Sequence, residues 1–382
     1  MVPLFDLTRQ YQSLKTELDS AVIRVLESGQ FVLGPQVEVF ENNAAKFLGV
    51  RHAIGVANGT DALLLSLRSL GVRAGDEVIT TPFTFIATAE VVSLLGATPV
   101  FVDIEPDTFN IDPSKIEAAI TPRTKGIIPV HLFGHPAPMT DIKTIAQNHG
   151  LFVLEDAAQA WGAFVNDDSS SSDSSTTSST RSSEKTACGA LGDMGAFSFF
   201  PSKNLGAAGE GGLVTTNDDE LADHVKMLRM HGMKTRYYHD EIGYNSRLHA
   251  MQAAILDVKL PHSTRWNDQR RAHAARYSEL LGDMPLILPI ERAGNHHVYH
   301  QYTVRSSQRD MIIEKLASAK IGAAIYYPVP LHQQNVYSCL GYEAGSLPEA
   351  ERASREVFSL PIFPELRADE IEEVAQVLKS AF

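Results

Sequence analysis

Short apolar runs alternate with segments of helical periodicity through much of the chain, and this alternation limits the folds open to it. The apolar runs lie at 52–57, 77–81, 99–102, 126–131, 151–154, 196–199 and 212–215. Helical patterns lie between many of them, at 61–70, 84–95, 113–120, 140–149 and 219–230. Strands that alternate with helices predict an α/β fold, with a mostly parallel sheet covered by helices on both faces.

The first fifty residues show a different pattern. Apolar positions recur at helical spacing in 8–29 and again in 36–48. Gly29 and Gly49 follow these stretches, and Gly29 stands where a C-cap glycine would end a helix. We therefore predict two helices before the alternating part begins.

The alternation fades after about residue 243. A long helical stretch is predicted at 246–276, although Pro261 lies inside it. Further strands are predicted at 297–305 and 322–327, and further helices at 310–319 and 369–381. We therefore predict a large α/β domain over 1–245 and a smaller α+β domain over 246–382.

One segment interrupts the large domain. Thirteen of the fifteen residues at 169–183 are Ser or Thr. Without apolar side chains to bury, nothing offsets the entropy lost on ordering, so we predict a flexible surface loop. The loop belongs to an insertion at 166–186.

Composition and the chain start limit the compartment and the partners. A formal net charge of −13 argues against a nucleic-acid-binding surface. The start lacks the basic region and apolar run of a signal peptide, and polar residues break the most apolar stretch, 85–102. Two cysteines, Cys188 and Cys339, without CxxC spacing fit a reduced compartment. We expect a cytoplasmic protein with neither nucleic-acid nor membrane partners.

A lysine follows one of the apolar strands and enters a glycine-rich turn. The strand at 196–199 leads to Lys203, and glycines follow at 206, 209, 211 and 212. Desolvation at this place favours the neutral amine, which is the form that attacks a carbonyl carbon. The alternative interpretation of Lys203 is an ordinary lysine on a surface loop.

A second strand ends in acidic residues. The run at 151–154 is followed by Glu155 and Asp156, and ligands bind at the carboxyl ends of strands in α/β sheets. An aspartate beside a reactive lysine suits pyridoxal phosphate, because its carboxylate keeps the pyridine nitrogen protonated. The alternative interpretation of Asp156 is a helix N-cap.

A third pattern predicts a phosphate site. The strand at 52–57, a turn containing Gly59 and Thr60, and the helix that follows would present free backbone N–H groups to an anion. No GKS or GKT sequence follows the turn. Glycines 189, 192 and 195 precede a strand instead of a helix. Neither a nucleotide P-loop nor a dinucleotide-binding site is expected.

Several motifs along nearly the whole chain carry a family resemblance. They are PLFDL at 3–7, ANGTDAL at 57–63, GDEVIT at 75–80, EDAAQ at 155–159, FFPSKNLG at 199–206 and GYNSRL at 243–248. In this order they resemble the DegT/DnrJ/EryC1/StrS family of sugar-nucleotide aminotransferases. These are fold-type I enzymes that use pyridoxal phosphate. The resemblance implies a large domain with a mostly parallel sheet flanked by helices, plus a smaller C-terminal α+β domain.

The resemblance also implies roles for single residues. Lys203 is similar to the lysine that bonds the cofactor and moves protons, and Asp156 to the partner of the pyridine nitrogen. Gln159 and Phe85 match residues on the two faces of the cofactor ring. The implied phosphate contacts are Gly59, Thr60, Ser198 and, from the neighbouring subunit of a homodimer, Asn245. The implied substrate contacts are Arg247, suited to a carboxylate of the amino donor, and His231, His239, Tyr327 and His332 near the sugar nucleotide.

The implied reaction moves the amino group of L-glutamate to a nucleotide-linked keto sugar. The GYNSRL motif after the cluster at 236–239 is similar to enzymes that aminate C3, whereas C4 enzymes more often replace Ser246. We expect a UDP-linked 2-acetamido-3-keto uronate or a dTDP-linked 3-keto-6-deoxyhexose. A C4 sugar-nucleotide or inosose aminotransferase is the alternative. A non-catalytic pyridoxal-phosphate-binding sensor is a further one.

Two other interpretations are weaker. Relatives that act as dehydratases have histidine in place of the lysine, and Lys203 argues against that activity. His296, His297 and His300 lie within five residues, but no Cys or carboxylate cluster accompanies them. For these histidines we expect a surface or subunit-interface role, and no metal.

Overall fold

The computed structural model describes residues 1–167 and 184–382. Its strands are, in chain order, β1 (His52–Val56), β2 (Glu77–Thr80), β3 (Thr98–Phe101), β4 (Thr124–Ile128), β5 (Phe152–Asp156), β6 (Phe164–Asp167), β7 (Glu184–Ala187), β8 (Met194–Ser198), β9 (Gly212–Thr216), β10 (Met233–Thr235), β11 (Tyr238–His239), β12 (Asn295–His296), β13 (Tyr302–Arg305) and β14 (Val357–Leu360). Its α-helices are α1 (Leu7–Ser28), α2 (Pro35–Leu48), α3 (Gly59–Ser69), α4 (Ala87–Leu94), α5 (Met139–His149), α6 (Asp219–Leu228), α7 (Ala250–Lys259), α8 (Ser263–Leu281), α9 (Arg309–Ser318), α10 (Pro348–Glu356) and α11 (Ala368–Lys379).

Seven strands form the central sheet in the order β1-β9-β8-β5-β4-β2-β3. Strand β9 runs antiparallel to both of its neighbours, and the pairs from β8 to β3 are parallel. The predicted mostly parallel sheet is therefore confirmed. Because β5 and β8 are parallel neighbours, with Asp156 opposite Ala196, their carboxyl ends lie at the same edge. That edge brings the segments of Asp156 and Lys203 together.

Side chains of the central strands alternate between two apolar layers. Phe197 and Leu213 pack with residues of α1, α2 and α7. Their sequence neighbours Ala196 and Val214 pack with residues of α3, α4 and α6. This alternation is the period of two that strands impose, and it confirms that helices cover both faces of the sheet.

The two N-terminal helices form as predicted. Asp6 caps α1 by accepting hydrogen bonds from the N–H groups of Thr8 and Arg9, and Gly29 ends it with a left-handed φ of 67°. Between residues 23 and 39, five large apolar side chains stay exposed, namely Ile23, Leu26, Phe31, Val32 and Val39.

The predicted long helix at 246–276 is wrong, because two helices replace it. Helix α7 ends at Lys259, a 3-10 turn spans Leu260–His262, and α8 begins at Ser263. Pro261 has no N–H to donate and disfavours helical backbone at the residue before it. The break therefore falls where the proline stands.

A second apolar core lies in the C-terminal part. Tyr277, Tyr302 and Phe358 are fully buried in it, beside residues of α9 and α11. The strand predicted at 297–305 is confirmed only as β13, and 322–327 forms no strand beyond an isolated bridge between Ala324 and Ser359. The division into domains at residue 245 stays a prediction.

The insertion is described only at its base. Strand β6 pairs with β7 from Phe164–Ala187 to Asp167–Glu184, and β12 pairs with the other edge of β6. The predicted loop at 169–183 lies outside the described residues. Among the helices that the structure does describe, none is long and apolar enough to cross a membrane.

Candidate active site

Lys203 lies half-buried in the turn after β8. Burial lowers the pKa of its amine to about 8, and the negative charge of Asp156 opposes this shift. The turn is held by its own backbone, since the Lys203 N–H donates to the Phe200 carbonyl at 2.8 Å. A lysine in this state has a large neutral fraction near pH 8, which is what attack on a carbonyl needs.

The residue after Lys203 fixes the turn through side-chain hydrogen bonds. Asn204 is buried, and its Nδ2 donates to Asn267 Oδ1 at 2.8 Å and to the Val298 carbonyl at 3.2 Å. Its Oδ1 lies 2.9 Å from Nδ1 of His300. The two bonds donated by Nδ2 identify the other amide atom as the oxygen, which can only accept. The His300 ring is therefore assigned as the donor in this contact.

Asp156 ends β5 with a buried carboxylate. Its Oδ2 accepts from the Thr88 hydroxyl at 2.7 Å, and its Oδ1 accepts from the Ala158 N–H at 3.2 Å. Burial raises the pKa of this carboxyl, while the two hydrogen bonds and the charge of Lys203 oppose the rise. The hydrogen bond from the Ala158 N–H is of the kind that a helix N-cap makes. No α-helix begins directly after Asp156, however, so the N-cap alternative is wrong.

A glycine cradle lies at the start of α3. A Cβ on Gly59 would come within 2.7 Å of the Ser198 side chain, and one on Gly212 would come within 2.2 Å of the Asn58 carbonyl oxygen. Asn58 caps the helix, because its side chain accepts from the Asp61 N–H at 2.8 Å. The helix N-terminus and the end of β8 therefore meet at a place where only glycine fits.

Gln159 is fixed between two neighbours. Its Oε1 accepts from the Phe133 N–H at 2.6 Å, and its Nε2 donates to the Tyr327 hydroxyl at 3.1 Å. Burial raises the pKa of Tyr327, so this hydroxyl keeps its proton. Phe85 is 58% exposed, with its ring 6.5 Å from that of Tyr327.

The segment 230–247 carries most of the remaining candidates: His231, His239 and Asn245 are exposed, and Arg247 is half-buried. His239 Nδ1 lies 2.9 Å from the His231 carbonyl, across the hairpin of β10 and β11. The Arg247 guanidinium donates to the Asn245 side chain. Ser246 is buried between them, and its hydroxyl accepts from the Ala57 N–H at 3.2 Å. This bond ties the segment to the turn that precedes α3.

Two sets of histidines lie elsewhere. His332 is buried, with Nε2 3.2 Å from Glu351 Oε1, and its expected contact with a sugar nucleotide stays a prediction. His297 and His300 are buried as well, so the expected surface or interface role is wrong for both. Their segment packs against Gly134, where a Cβ would touch Val298.

Sequence reasoning missed Thr88 and Asn204. Thr88 belongs to a helical pattern that shows no link to Asp156, because the two are 68 residues apart in the chain. Asn204 had a usable signal, since it stands in the FFPSKNLG motif directly after the lysine.

A strand-end aspartate, a lysine of lowered pKa and a glycine cradle on one sheet edge define an α/β protein of the aminotransferase class. The family model described as the DegT/DnrJ/EryC1/StrS aminotransferase family matches residues 12–379. The chain belongs to this family.

Similar proteins carry two kinds of name. A pleiotropic regulatory protein of Geobacillus stearothermophilus is 49% identical, covering 98% of this chain and 97% of its own. A UDP-N-acetyl-3-dehydro-α-D-glucosamine 3-aminotransferase of Acidithiobacillus ferrooxidans is 46% identical, covering 99% and 97%.

Solved structures are similar over the same length. DesV of S. venezuelae, in complex with a ketimine intermediate, has a TM-score of 0.93 at 42% identity and covers 100% of this chain and 98% of its own. NtdA of Bacillus subtilis, with bound cofactor PMP, has a TM-score of 0.86 at 31% identity and covers 97% and 82%.

Proposed function

We propose that this protein is a pyridoxal-phosphate-dependent aminotransferase that moves the amino group of L-glutamate to C3 of a nucleotide-linked keto sugar. The observation that carries the proposal is the placement of half-buried Lys203 after β8, at the same sheet edge as the buried carboxylate that ends the parallel neighbour β5. Burial lowers the pKa of the lysine amine to about 8. A catalytic amine of this kind needs a pKa near the working pH, which an exposed lysine lacks.

The described residues fit the cofactor by the chemistry of their donors. Gly59 lets the N-terminus of α3 approach Ser198 more closely than a Cβ would allow, and the free N–H groups of α3 suit a phosphate. Asp156 offers an anion for a ring nitrogen, and Lys203 an amine for an aldehyde. The PMP bound to a structural relative supports the same assignment.

Bound pyridoxal phosphate would supply the carbonyl that takes up the amino group and the ring that withdraws electrons from the reacting carbon. Lys203 Nζ would hold the cofactor and would move a proton at the carbon that carries the amino group. The Thr88 hydroxyl donates to Asp156 Oδ2 and so fixes the orientation of the carboxylate. Gln159 and Phe85 would orient the ring from its two faces.

The proposed acceptor is a UDP-linked 2-acetamido-3-keto sugar such as a uronate, or a dTDP-linked 3-keto-6-deoxyhexose. The name of the Acidithiobacillus relative supports C3 and the UDP-linked N-acetyl sugar. The GYNSRL motif supports C3 as well. Arg247 would bind a carboxylate of the donor, and His231, His239, Tyr327 and His332 would approach the sugar nucleotide.

We further propose a cytoplasmic homodimer whose sites share residues. Asn245 would contact the phosphate of the neighbouring subunit. Its exposure, and that of the apolar side chains between residues 23 and 39, support this arrangement, because exposed apolar groups mark contact surfaces.

The test is a substrate panel with the purified protein, pyridoxal phosphate and L-glutamate. UDP- and dTDP-linked 3-keto and 4-keto sugars, together with an inosose, are offered one at a time, and the amino product and 2-oxoglutarate are quantified. We expect ping-pong kinetics and a preference for a 3-keto sugar, with Lys203→Ala as the inactive control.

A preference for a 4-keto sugar or an inosose would overturn the C3 assignment alone. Cofactor binding without turnover on any acceptor would favour a regulatory role, in keeping with the name of the Geobacillus relative.

A further inference from the structure

A buried carboxylate that the proposed function does not use lies directly before the candidate aspartate. Glu155 is fully buried and accepts four hydrogen bonds. Its Oε1 accepts from the N–H groups of Leu191 and Gly192, both at 2.7 Å. Its Oε2 accepts from the Gly189 N–H at 2.7 Å and lies 2.8 Å from His131 Nε2. Because the partners are N–H donors, the ionised carboxylate is the form that fits.

His131 contributes a neutral ring to this contact. The Ala137 N–H donates to Nδ1 at 2.9 Å, so Nδ1 holds the lone pair and Nε2 holds the proton that Glu155 accepts. His131, Glu155 and Cys188 lie close enough to resemble a set of metal ligands. Both ring nitrogens and both carboxylate oxygens already have hydrogen-bond partners, however. The cluster is therefore a hydrogen-bonded brace.

The brace is tied to the strand that carries Asp156. The His131 N–H donates to the Asp156 carbonyl at 3.0 Å, and the Asp156 N–H donates to the Pro129 carbonyl at 2.9 Å. Glu155 and Asp156 are consecutive in β5, so their side chains point to opposite faces of the sheet. His131 thus holds the end of β5 twice, through the backbone of Asp156 and the side chain of Glu155.

The other side of the brace is the base of the insertion. The turn at 188–192 follows β7, and three of its N–H groups end on Glu155. On the far side, the Thr215 hydroxyl donates to the Gly189 carbonyl at 2.5 Å. The base of the β6–β7 hairpin is therefore fastened to the strand of the candidate aspartate.

We infer that Glu155 and His131 form a positioning pair, which fixes the backbone of Asp156 and so keeps its carboxylate aimed at the cofactor ring nitrogen. This inference rests on the proposed function. The pair acts through Asp156 and touches neither cofactor nor substrate.

The test compares Glu155→Gln with the wild-type protein in absorbance titrations with pyridoxal phosphate. Glutamine has nearly the same size as glutamate, but its NH2 group is a donor. It would face N–H donors and could not accept their hydrogen bonds. We expect cofactor binding at least about tenfold weaker, and a shifted pH midpoint of the cofactor absorbance. His131→Leu should weaken binding similarly. The double variant should lose little more than either single variant, because the two residues act as a unit.

The matched control is Thr215→Val, which loosens the same turn without touching Glu155, His131 or Asp156. We expect its cofactor affinity to stay within about twofold of wild type. Equal weakening in Glu155→Gln and Thr215→Val would mean that the pair only supports the turn, and would overturn the inference. So would wild-type affinity in Glu155→Gln. If Glu155→Gln does not fold, His131→Leu decides by the same measurement.

The two failures are distinguishable. A wild-type protein that binds no pyridoxal phosphate, or that binds it and aminates no acceptor in the substrate panel, contradicts the proposed function. The inference is decided separately, by the cofactor affinity of Glu155→Gln relative to the wild-type protein and to Thr215→Val.

Discussion

The carboxyl edge of the central sheet buries two of its candidate site residues, whereas the segment 230–247 leaves several large side chains exposed. At the sheet edge, Asp156 and Gln159 are buried and bond to groups of their own chain. In the segment, Tyr237, Tyr238 and Ile242 are 75%, 72% and 87% exposed. One region is complete in a single chain, and the other presents its side chains outward.

The difference teaches which half of the candidate site one chain can build. Burying a polar group without a hydrogen-bond partner costs free energy. The chain at the sheet edge must therefore supply hydrogen bonds to Asp156 and Gln159 before any ligand binds. Exposed aromatic side chains have no such requirement and are available to a second molecule. The proposed homodimer would supply that molecule. The predictions below test the two halves separately.

Removing the amine of Lys203 should have the largest effect, because the proposed reaction uses this amine both to hold the cofactor and to move a proton. Lys203→Ala should lower kcat/KM by at least about 10⁴-fold in a coupled assay of 2-oxoglutarate release. The exposed Lys226→Ala, on α6, is the control and should change activity by less than about twofold. Equal losses would contradict a special role for Lys203.

This part of the site was accessible from sequence, and particular residues show why. The end of a buried strand identified Asp156, because parallel strands place their carboxyl ends together. Thr88 escaped, since the position of α4 over β5 depends on packing between distant segments. His300 was misjudged for the same reason: its burial follows from the packing of its segment on Gly134.

The exposed segment was much less accessible. None of its residues was identified from a predicted strand end or helix cap. Only the family resemblance indicated Asn245, Arg247, His231 and His239. The break at Pro261 was readable from the chemistry of proline, yet the periodicity on both sides hid it. Local rules therefore predict the buried half better than the exposed half.

Neutralising Asp156 should have the next largest effect. Asp156→Asn should lower kcat/KM by about 10²- to 10³-fold, because the negative charge opposite the ring nitrogen is lost. Thr88→Val should cost less, since it loosens the carboxylate without removing it. Asp103→Asn is the matched control: Asp103 is also buried, but it accepts from the N–H groups of Glu349 and Ala350 instead. If Asp103→Asn lowers kcat/KM as much as Asp156→Asn does, the special role of Asp156 is wrong.

Subunit mixing tests the exposed half directly. Asn245→Ala and Lys203→Ala should each impair the homodimer, but a hybrid of the two has one site with both residues intact. Random mixing should therefore restore about a quarter of wild-type activity. The measurement is turnover before and after the two variants exchange subunits. No recovery, with exchange confirmed by mass spectrometry, would mean that Asn245 serves its own chain.

The pH dependence of Lys203 tests the buried half by a smaller effect. In the cofactor-free protein, competitive acetylation with peptide mapping should give Lys203 a midpoint near pH 8, with the ammonium below and the amine above it. Asp156→Asn should lower the midpoint further, because the negative charge of Asp156 holds it up. A Lys203 midpoint near the ordinary value for a lysine side chain, about 10.4, would contradict the desolvation on which the proposal depends.

Shortening the insertion should have the smallest effect, although it alters the most unusual part of the sequence. The described contacts of the hairpin lie in β6, β7 and β12 and in the turn on Glu155, and the pairing of β6 with β7 runs as far as Asp167 and Glu184. Replacing 168–183 with Asn-Gly closes these two strands by a favoured two-residue turn. We expect a melting temperature within a few degrees of wild type and activity within about twofold. A changed preference among the keto sugars would show instead that this part of the chain contributes to acceptor choice, which neither the sheet edge nor the segment 230–247 would then determine alone.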